Sequence, residues 1–456
     1  MASVKKRGDK YYVIYYYKDP DTKEQKQKWE SFVTEGEAYK RKIEVENQMN
    51  DNTFILPRTT TVSEYLDSFV KLYGTTKWGA STFKSNTALI RNYISPIIGD
   101  MKLQELNRMA IDSFYKKLSQ TEYVEYRGRK PEGFLSASVI EKIAHLMSTA
   151  MKQAVQWEII SKDPTIGALR EKPAKVERSI WNTDQIKKAL DNCEDNRLYL
   201  AINLSFACSL RLGEILGLTW DCVHISEQEI ASDGAWIMIQ KELTRVNMDA
   251  VKQIGEKDIY QIFPTTKYNA TTRMVLKKPK TESSIRKVWL PKTLAMILLD
   301  WKKKQEELKD LIGDAFSDYN LVVTHNDGRP CDSQVIEHGF KRLKEKADLP
   351  DVVFHSLRHS STTYKLGLTH GNIKDVQGDT GHATAQMVTE VYSHIMDESR
   401  KENAMKFDEA FYKQPDLRSS MHNKQEDSEE FDVSKLLKAV QKSPELKNAL
   451  KQLLAE

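Results

Sequence analysis

The sequence predicts a multidomain α+β protein: a small N-terminal domain of β-sheet plus helix, a helical second domain, and a larger mixed α/β domain. Three observations carry the prediction. Lys10–Tyr17 is a run of aromatic and β-branched residues, which suit a pleated surface. Apolar residues recur at helical spacing through 59–169. Strand-like and helix-like segments then share 179–413. A chain of 456 residues is long enough for two to four domains. With 40% apolar and 29% charged residues it has material for several cores and is not a disordered chain.

Residues 1–57 form the first unit. Lys10–Tyr17 reads as a strand, Asp19-Pro20-Asp21 as a turn and Gln25–Val33 as a second strand. Thr34 followed three residues later by Glu37 has the spacing of a capping box, so a helix is expected from there to about Asn50. Residues 1–28 hold eight Lys/Arg against four Asp/Glu. Basic residues interleaved with tyrosine suit a sheet face laid on DNA, or simply a solvated face.

The second unit, 59–169, should be helical. Val62, Tyr65, Leu66, Phe69, Leu72 and Tyr73 share one helical face. Ser81 opens another helix, ended by Pro96 and Gly99; Ile111, Phe114, Tyr115 and Leu118 stripe a third. Ala137–Ile160 is a long fourth, with Ile140, Ile143, Ala144, Met147, Met151, Ala154 and Val155 inward and Asp163-Pro164 beyond it. The charged stretch 170–178 lacks apolar pattern and reads as a linker.

In the third unit, 179–413, Thr183 is expected to cap a helix, and Trp236–Gln240 and Lys287–Leu290 to be strands. Residues 414–456 begin with an acidic run and end in two short amphipathic helices, the second capped by Ser443-Pro444-Glu445.

Several classes are disfavoured. The most apolar stretch, Leu198–Leu210, is too short to span a bilayer and holds Asn203, Ser205 and Ser209. No secretory signal is read at the N-terminus. Cys193, Cys208, Cys222 and Cys331 form no C-x-x-C pair, so reduced thiols in a cytoplasm are expected. The net charge of +4 is too small to identify a nucleic-acid binder by itself. His355 and His359 have a zinc-compatible i,i+4 spacing, but Arg358 lies between them and would repel a metal ion.

Arg358 instead suggests an oxyanion. A guanidinium binds two phosphate oxygens at once, and His355-x-x-Arg358 at a helix start would aim both side chains at one ligand. Three other segments add to this. Leu204–Leu218 reads as an apolar helix interrupted by Arg211 and Glu214. A buried arginine must be paired, so Glu214 either forms an internal ion pair with Arg211 or orients it toward an anion. Lys277–Pro291 reads as two strand arms around a polar turn, and seven Lys/Arg against one acid between Lys267 and Lys287 would make a basic hairpin tip. Thr380-Gly381-His382 is followed ten residues later by Tyr392.

These residues together resemble the tyrosine recombinases, specifically the integrases of phages and conjugative elements. The family's active-site order of Arg, Lys, His-x-x-Arg, His or Trp, and Tyr is matched by Arg211, Lys280, His355, Arg358, His382 and Tyr392, with Glu214 in support. The flanking R-x-x-E, P-K-T-x-x-S-x-R-x-V-x-L-P and H-x-L-R-H patterns match as well. Residues 59–169 resemble the family's SAM-like core-binding domain, and 1–57 its arm-binding domain. Two departures stand out: Ser209 replaces a common glycine, and Thr380 replaces the usual apolar residue before Gly381.

The resemblance implies a catalytic domain over 179–413 and site-specific DNA recombination through a 3′-phosphotyrosyl intermediate, with Tyr392 as nucleophile and neither metal nor cofactor. It implies integration, and excision, of a mobile element by a homotetramer on double-stranded attachment sites. A host DNA-bending protein and an excisionase are candidate accessory partners; no membrane is involved. A segment at Asp397–Tyr412, with Ala404, Phe407, Ala410 and Phe411 at helical spacing, would dock on a neighbouring subunit or, alternatively, in cis on its own. A catalytically silent DNA-binding protein is disfavoured by the full residue set, and a type IB topoisomerase by the two N-terminal domains.

Overall fold

The computed structural model describes residues 2–18, 24–51, 54–55, 58–125, 131–174, 179–265, 269–369 and 372–381. The expected helices beyond 414 and the docking segment at 397–412 lie outside these residues.

Strands β1 (Ser3–Arg7), β2 (Lys10–Lys18) and β3 (Gln25–Phe32) form an antiparallel sheet in that order, backed by α1 (Glu35–Asn50). The capping box of Thr34 and Glu37 is present, as its spacing predicts. The first strand, Ser3–Arg7, is an element the sequence pattern does not mark. One face of β2 buries Val13 and Tyr15 against Ala38 and Val45 of α1. Tyr15 donates to Glu30 at 2.5 Å, and Arg41 of α1 holds the same carboxylate at 2.8 Å. Strand alternation then fixes the opposite face. In register there lie Lys5 against Tyr12, Arg7 against Lys10, and Tyr16 against Gln27, with Trp29 beside Tyr12.

The second unit contains α2 (Val62–Phe69), α3 (Thr75–Lys77), α4 (Ala80–Leu89), α5 (Ser95–Ile98), α6 (Arg108–Leu118) and α7 (Ala137–Gln156). Its core gathers Tyr65, Phe69, Ile94, Ile111, Phe114, Met147 and Met151, with Trp157 edge-on to both Tyr65 and Phe69. Three expectations are corrected here. Val70–Gly74 is a π-helical turn, which advances the helix phase and leaves Leu72 exposed rather than in the stripe. A second π turn, Ile90–Ile94, carries α4 into α5, so Pro96 sits inside the continued helix and Gly99 alone ends it. The long α7 stops at Gln156, four residues before Ile160, where Glu158 turns the chain at φ 56°.

The third unit is built from α8 (Thr183–Asp191), α9 (Asn196–Ala207), α10 (Leu212–Leu216), β4 (Val223–His224), α11 (Glu227–Ala231), β5 (Trp236–Ile239), β6 (Glu242–Asn247), α12 (Met248–Ile254), β7 (Ile259–Ile262), β8 (Thr272–Lys277), β9 (Arg286–Trp289), α13 (Lys292–Ile312), α14 (Ser333–Lys346), α15 (Ser356–Leu368) and α16 (Ile373–Thr380). The cap of α8 is Asn182, not Thr183, because its side chain reaches the Gln185 N–H and Gln185 reaches back. Leu204–Leu218 is two helices, α9 and α10, divided at Ser209, whose φ of 54° no continuing helix permits.

The expected basic hairpin does not form. Strand β8 pairs with β6 and β7, whereas β9 pairs with β5, so the two arms belong to different sheets. The segment between them is a connection, folded by a 3-10 turn at Glu282–Ser284. The β4-β5-β9 sheet buries Ile237, Ile239 and Val288 on one face. Its other face stacks His224 on Trp236 at 3.8 Å and holds the Lys287 ammonium over Trp236 and Trp289. Ala80 of α4 packs against Val246, Val251 and Val275, joining the second unit to the third. Among the described residues no helix is long and apolar enough to cross a membrane.

Candidate active site

The site begins where α9 breaks. Ser209 takes the left-handed conformation, and its hydroxyl lies 2.6 Å from that of Ser361 on α15. The turn delivers Arg211 to the start of α10, where its backbone N–H donates to Glu214 Oε2 at 3.0 Å. Its Nη1 donates to Glu214 Oε1 at 2.7 Å and to Ser284 Oγ at 3.3 Å. Glu214 is 1% exposed and the Arg211 side chain 33% exposed, so the pair has one dry end and one wet end.

A second arginine shares that carboxylate. Arg286, at the start of β9, donates from Nη2 to Glu214 Oε2 at 3.0 Å and from Nη1 to Oε1 at 3.3 Å. Its Nη1 also reaches the Ser284 carbonyl at 2.9 Å, and its Nε the Asp379 carbonyl at 2.8 Å. Burial would raise the Glu214 carboxyl, but Arg286 and then Arg211 outweigh it and hold the group below its ordinary range. Sequence reasoning counts Arg286 among the basic residues of a hairpin and as the arginine of the P-K-T-x-x-S-x-R pattern, but gives it no role in the site. The signal that could have found it is strand alternation, which sets Arg286 and Val288 inward and Lys287 and Trp289 outward.

Arg358, one turn into α15, is 1% exposed. It donates to the carbonyls of Ser209 and, at 2.5 Å, Thr380. Burial, followed by the repulsion of Arg211, pushes its pKa down to about 9. Both causes disfavour the cation, and an anion beside it would oppose them by favouring the charged form. Two guanidiniums therefore share one carboxylate, and a third, that of Arg358, lies close enough to feel their charge, an arrangement with an excess of positive charge suited to an oxyanion.

Lys280 lies exposed on the connection from β8 to β9. That connection is tied to Arg211 through Ser284, whose hydroxyl is also 2.9 Å from Thr281 Oγ1. His355 sits exposed at the start of α15, edge-on to His359 at 4.9 Å. At the end of α16, Gly381 is left-handed with φ 62°; a Cβ there would meet the Ser283 carbonyl at 2.9 Å and Arg286 Cδ at 3.0 Å. Thr380, unusual in the sequence, is buried with its hydroxyl bonded to the Val376 carbonyl at 2.8 Å. His382 and Tyr392 lie outside the described residues.

Comparison with known proteins agrees with this architecture. The phage integrase family matches residues 180–399, and the phage integrase N-terminal SAM-like domain matches 61–119. A XerC-like tyrosine recombinase of Caldanaerobacter subterraneus subsp. tengcongensis is 25% identical over 336 residues, covering 71% of this chain and 76% of its own. The ICEBs1 integrase of Bacillus subtilis is 24% identical over 314 residues, covering 67% and 75%. The Tn1549 transposon integrase, solved in complex with a circular intermediate DNA, shares the fold with a TM-score of 0.56 at 16% identity, covering 76% of this chain and 99% of its own.

The two family matches span more than half of the chain, which belongs to the phage integrase family of tyrosine recombinases. It is accordingly a site-specific recombinase, an enzyme that breaks and rejoins DNA strands.

Proposed function

We propose that this chain is the integrase of a mobile element, a prophage or a conjugative element, and that Arg211, Lys280, His355, Arg358, His382 and Tyr392 are its catalytic residues, supported by Glu214. The observation that carries the residue assignment is the ion pair of partly exposed Arg211 with the buried carboxylate of Glu214, with buried Arg358 bonded to the carbonyl of Ser209, two residues before Arg211.

In this reading the Tyr392 phenol attacks the scissile phosphorus, the bond from phosphorus to the 5′-oxygen breaks, and a 3′-phosphotyrosyl link forms. A tyrosine of ordinary pKa near 10 needs a base, and His355 accepts its proton. Lys280 protonates the departing 5′-oxygen. Arg211 and Arg358 stabilise the negative charge of the pentacoordinate transition state, and His382 hydrogen-bonds the same phosphate. Loss of one such donor costs roughly 10²–10³ in rate. Attack by a partner strand's 5′-hydroxyl then reverses the chemistry and conserves the phosphodiester energy.

The domain reading assigns 1–57 to arm-type DNA binding, 59–169 to the core site, 179–413 to catalysis and 414–456 to an appendage. The arm assignment is supported by the outward face of the first sheet. Lys5, Arg7 and Lys10 stand there with Tyr12, Tyr16, Gln27 and Trp29, and the residues in register on that face include no carboxylate. The acting form is a homotetramer on two attachment sites in the cytoplasm, associated with the nucleoid, with a host DNA-bending protein and an excisionase as accessory partners.

The test is covalent trapping. Wild-type protein and Tyr392→Phe are mixed with nicked duplexes from the DNA flanking the gene, without added metal, and denatured in SDS. A shifted protein–DNA band in wild type that is absent from the variant is expected. Bands in both would move the nucleophile elsewhere.

A further inference from the structure

The guanidinium of Arg286 has no part in the chemistry above, yet its hydrogen bonds tie together three separate pieces of the site. It takes both oxygens of Glu214, the Ser284 carbonyl on the Lys280 connection, and the Asp379 carbonyl at the end of α16. Four of its five N–H groups are thus committed within the protein, and its side chain is 6% exposed, so it is poorly placed to bind DNA itself. Arg211 is the opposite case. Among the described residues only its Nη1 and backbone N–H are engaged, and a third of its side chain faces solvent.

The electrostatics follow from counting charges. One carboxylate facing one arginine is a neutral pair, and a neutral pair attracts a phosphate weakly. One carboxylate facing two arginines keeps a net positive charge, and the exposed arginine carries it. Of the two fields acting on Glu214, that of Arg286 is the larger.

We infer that Arg286 is a positioning residue for strand cleavage: it neutralises Glu214, so the charge of Arg211 remains available to the scissile phosphate. The inference rests on the recombinase reading of Arg211 given above. It also explains why Gly381 cannot carry a side chain, since a Cβ there would press on Arg286 Cδ and Nη1.

The experiment is a cycle of Arg286→Met, Arg286→Lys, Glu214→Gln and the double variant E214Q/R286M. Two readouts are taken on nicked duplexes from the DNA flanking the gene: Kd by gel shift and single-turnover rate of covalent complex formation. R286M should bind within about twofold of wild type and cleave roughly 10²–10³ slower, the scale of one lost transition-state donor. R286K, which restores the charge without the fork, should recover part of that loss. E214Q/R286M should cleave at least about tenfold faster than R286M, because the carboxylate that captures Arg211 is gone. A double variant no faster than R286M would mean a purely structural role and would overturn the inference, as would wild-type cleavage by R286M. Should R286M fail to fold, E214Q against E214Q/R286M decides: rates within about threefold support neutralisation, and a double variant more than about tenfold slower refutes it. If the wild type itself forms no covalent complex, it is the recombinase reading that fails.

Discussion

The hydroxyl of Ser209 lies 2.6 Å from that of Ser361, joining the turn that presents Arg211 to the helix that carries Arg358. Ser209 is also left-handed, a conformation that costs a residue with a Cβ about 1 kcal/mol. Its hydrogen bond offsets a cost that glycine would avoid. Ser209→Gly should therefore change stability little, since relief of strain and loss of the bond nearly cancel. Ser209→Ala keeps the strain and loses the bond, so it should destabilise by about 1 kcal/mol. Thermal unfolding of both variants checks the order; an alanine variant more stable than the glycine variant would contradict it.

Gly381 is the stricter position. Its φ of 62° and the Ser283 carbonyl, 2.9 Å from where a methyl group would sit, combine strain with a clash against backbone. Gly381→Ala should lose cleavage by at least about tenfold while DNA affinity by gel shift holds, since the damage falls where α16 meets Arg286. Wild-type cleavage by this variant would show that the turn tolerates displacement.

Glu214 makes stability depend on pH. Burial alone would raise its carboxyl, but Arg286 and Arg211 hold it below the ordinary value of about 4.3. A depressed carboxyl stabilises the fold above its unfolded value, and that contribution disappears as pH falls through the folded value. Glu214→Gln should therefore be less stable than wild type at neutral pH by roughly 3 kcal/mol, because buried Arg286 loses its counter-charge. The gap should close as pH drops below about 4. Denaturant unfolding of the two proteins across that range measures it; a gap independent of pH would place the charge of Glu214 outside the fold's energetics.

The outward face of the first sheet predicts a salt effect. Each phosphate that a cation neutralises adds about 0.9 to the slope of log affinity against log salt. Replacing Lys5, Arg7 and Lys10 with alanine should flatten that slope by about one for each phosphate released, and leave cleavage of short core-site duplexes unchanged. An unaltered slope on long flanking DNA would show that this face meets solvent only.

How far the fold is legible depends on whether its signals are local. Thr34 and Glu37 announce their helix because a capping box is a property of four adjacent residues. Ile111, Phe114, Tyr115 and Leu118 are buried as their spacing implies. Leu72 misleads because one extra residue per turn at Val70–Gly74 leaves no mark in an apolar pattern. The break between α9 and α10 is hidden because Ser209, unlike glycine, does not advertise a positive φ. In the site, Arg211 and Glu214 stand out as charges in apolar surroundings, whereas Arg286 sits among neighbouring cations in a family pattern that assigns it no role. Its partners Glu214 and Asp379 lie 72 and 93 residues away, and no local pattern encodes them.

The division of β8 and β9 between two sheets bears on how Lys280 finds its place. In a hairpin, the tip is set by the register of its own two arms, and a short peptide can reproduce it. Here one end of the connection is moored through β8 to β6, where Lys277 pairs with Glu242 at 2.9 Å, and the other through β9 to β5. A peptide of residues 272–289 cut from the chain would have no cause to bend back on itself. The location of Lys280 is a property of the assembled domain, defined only where both sheets have closed on their common core.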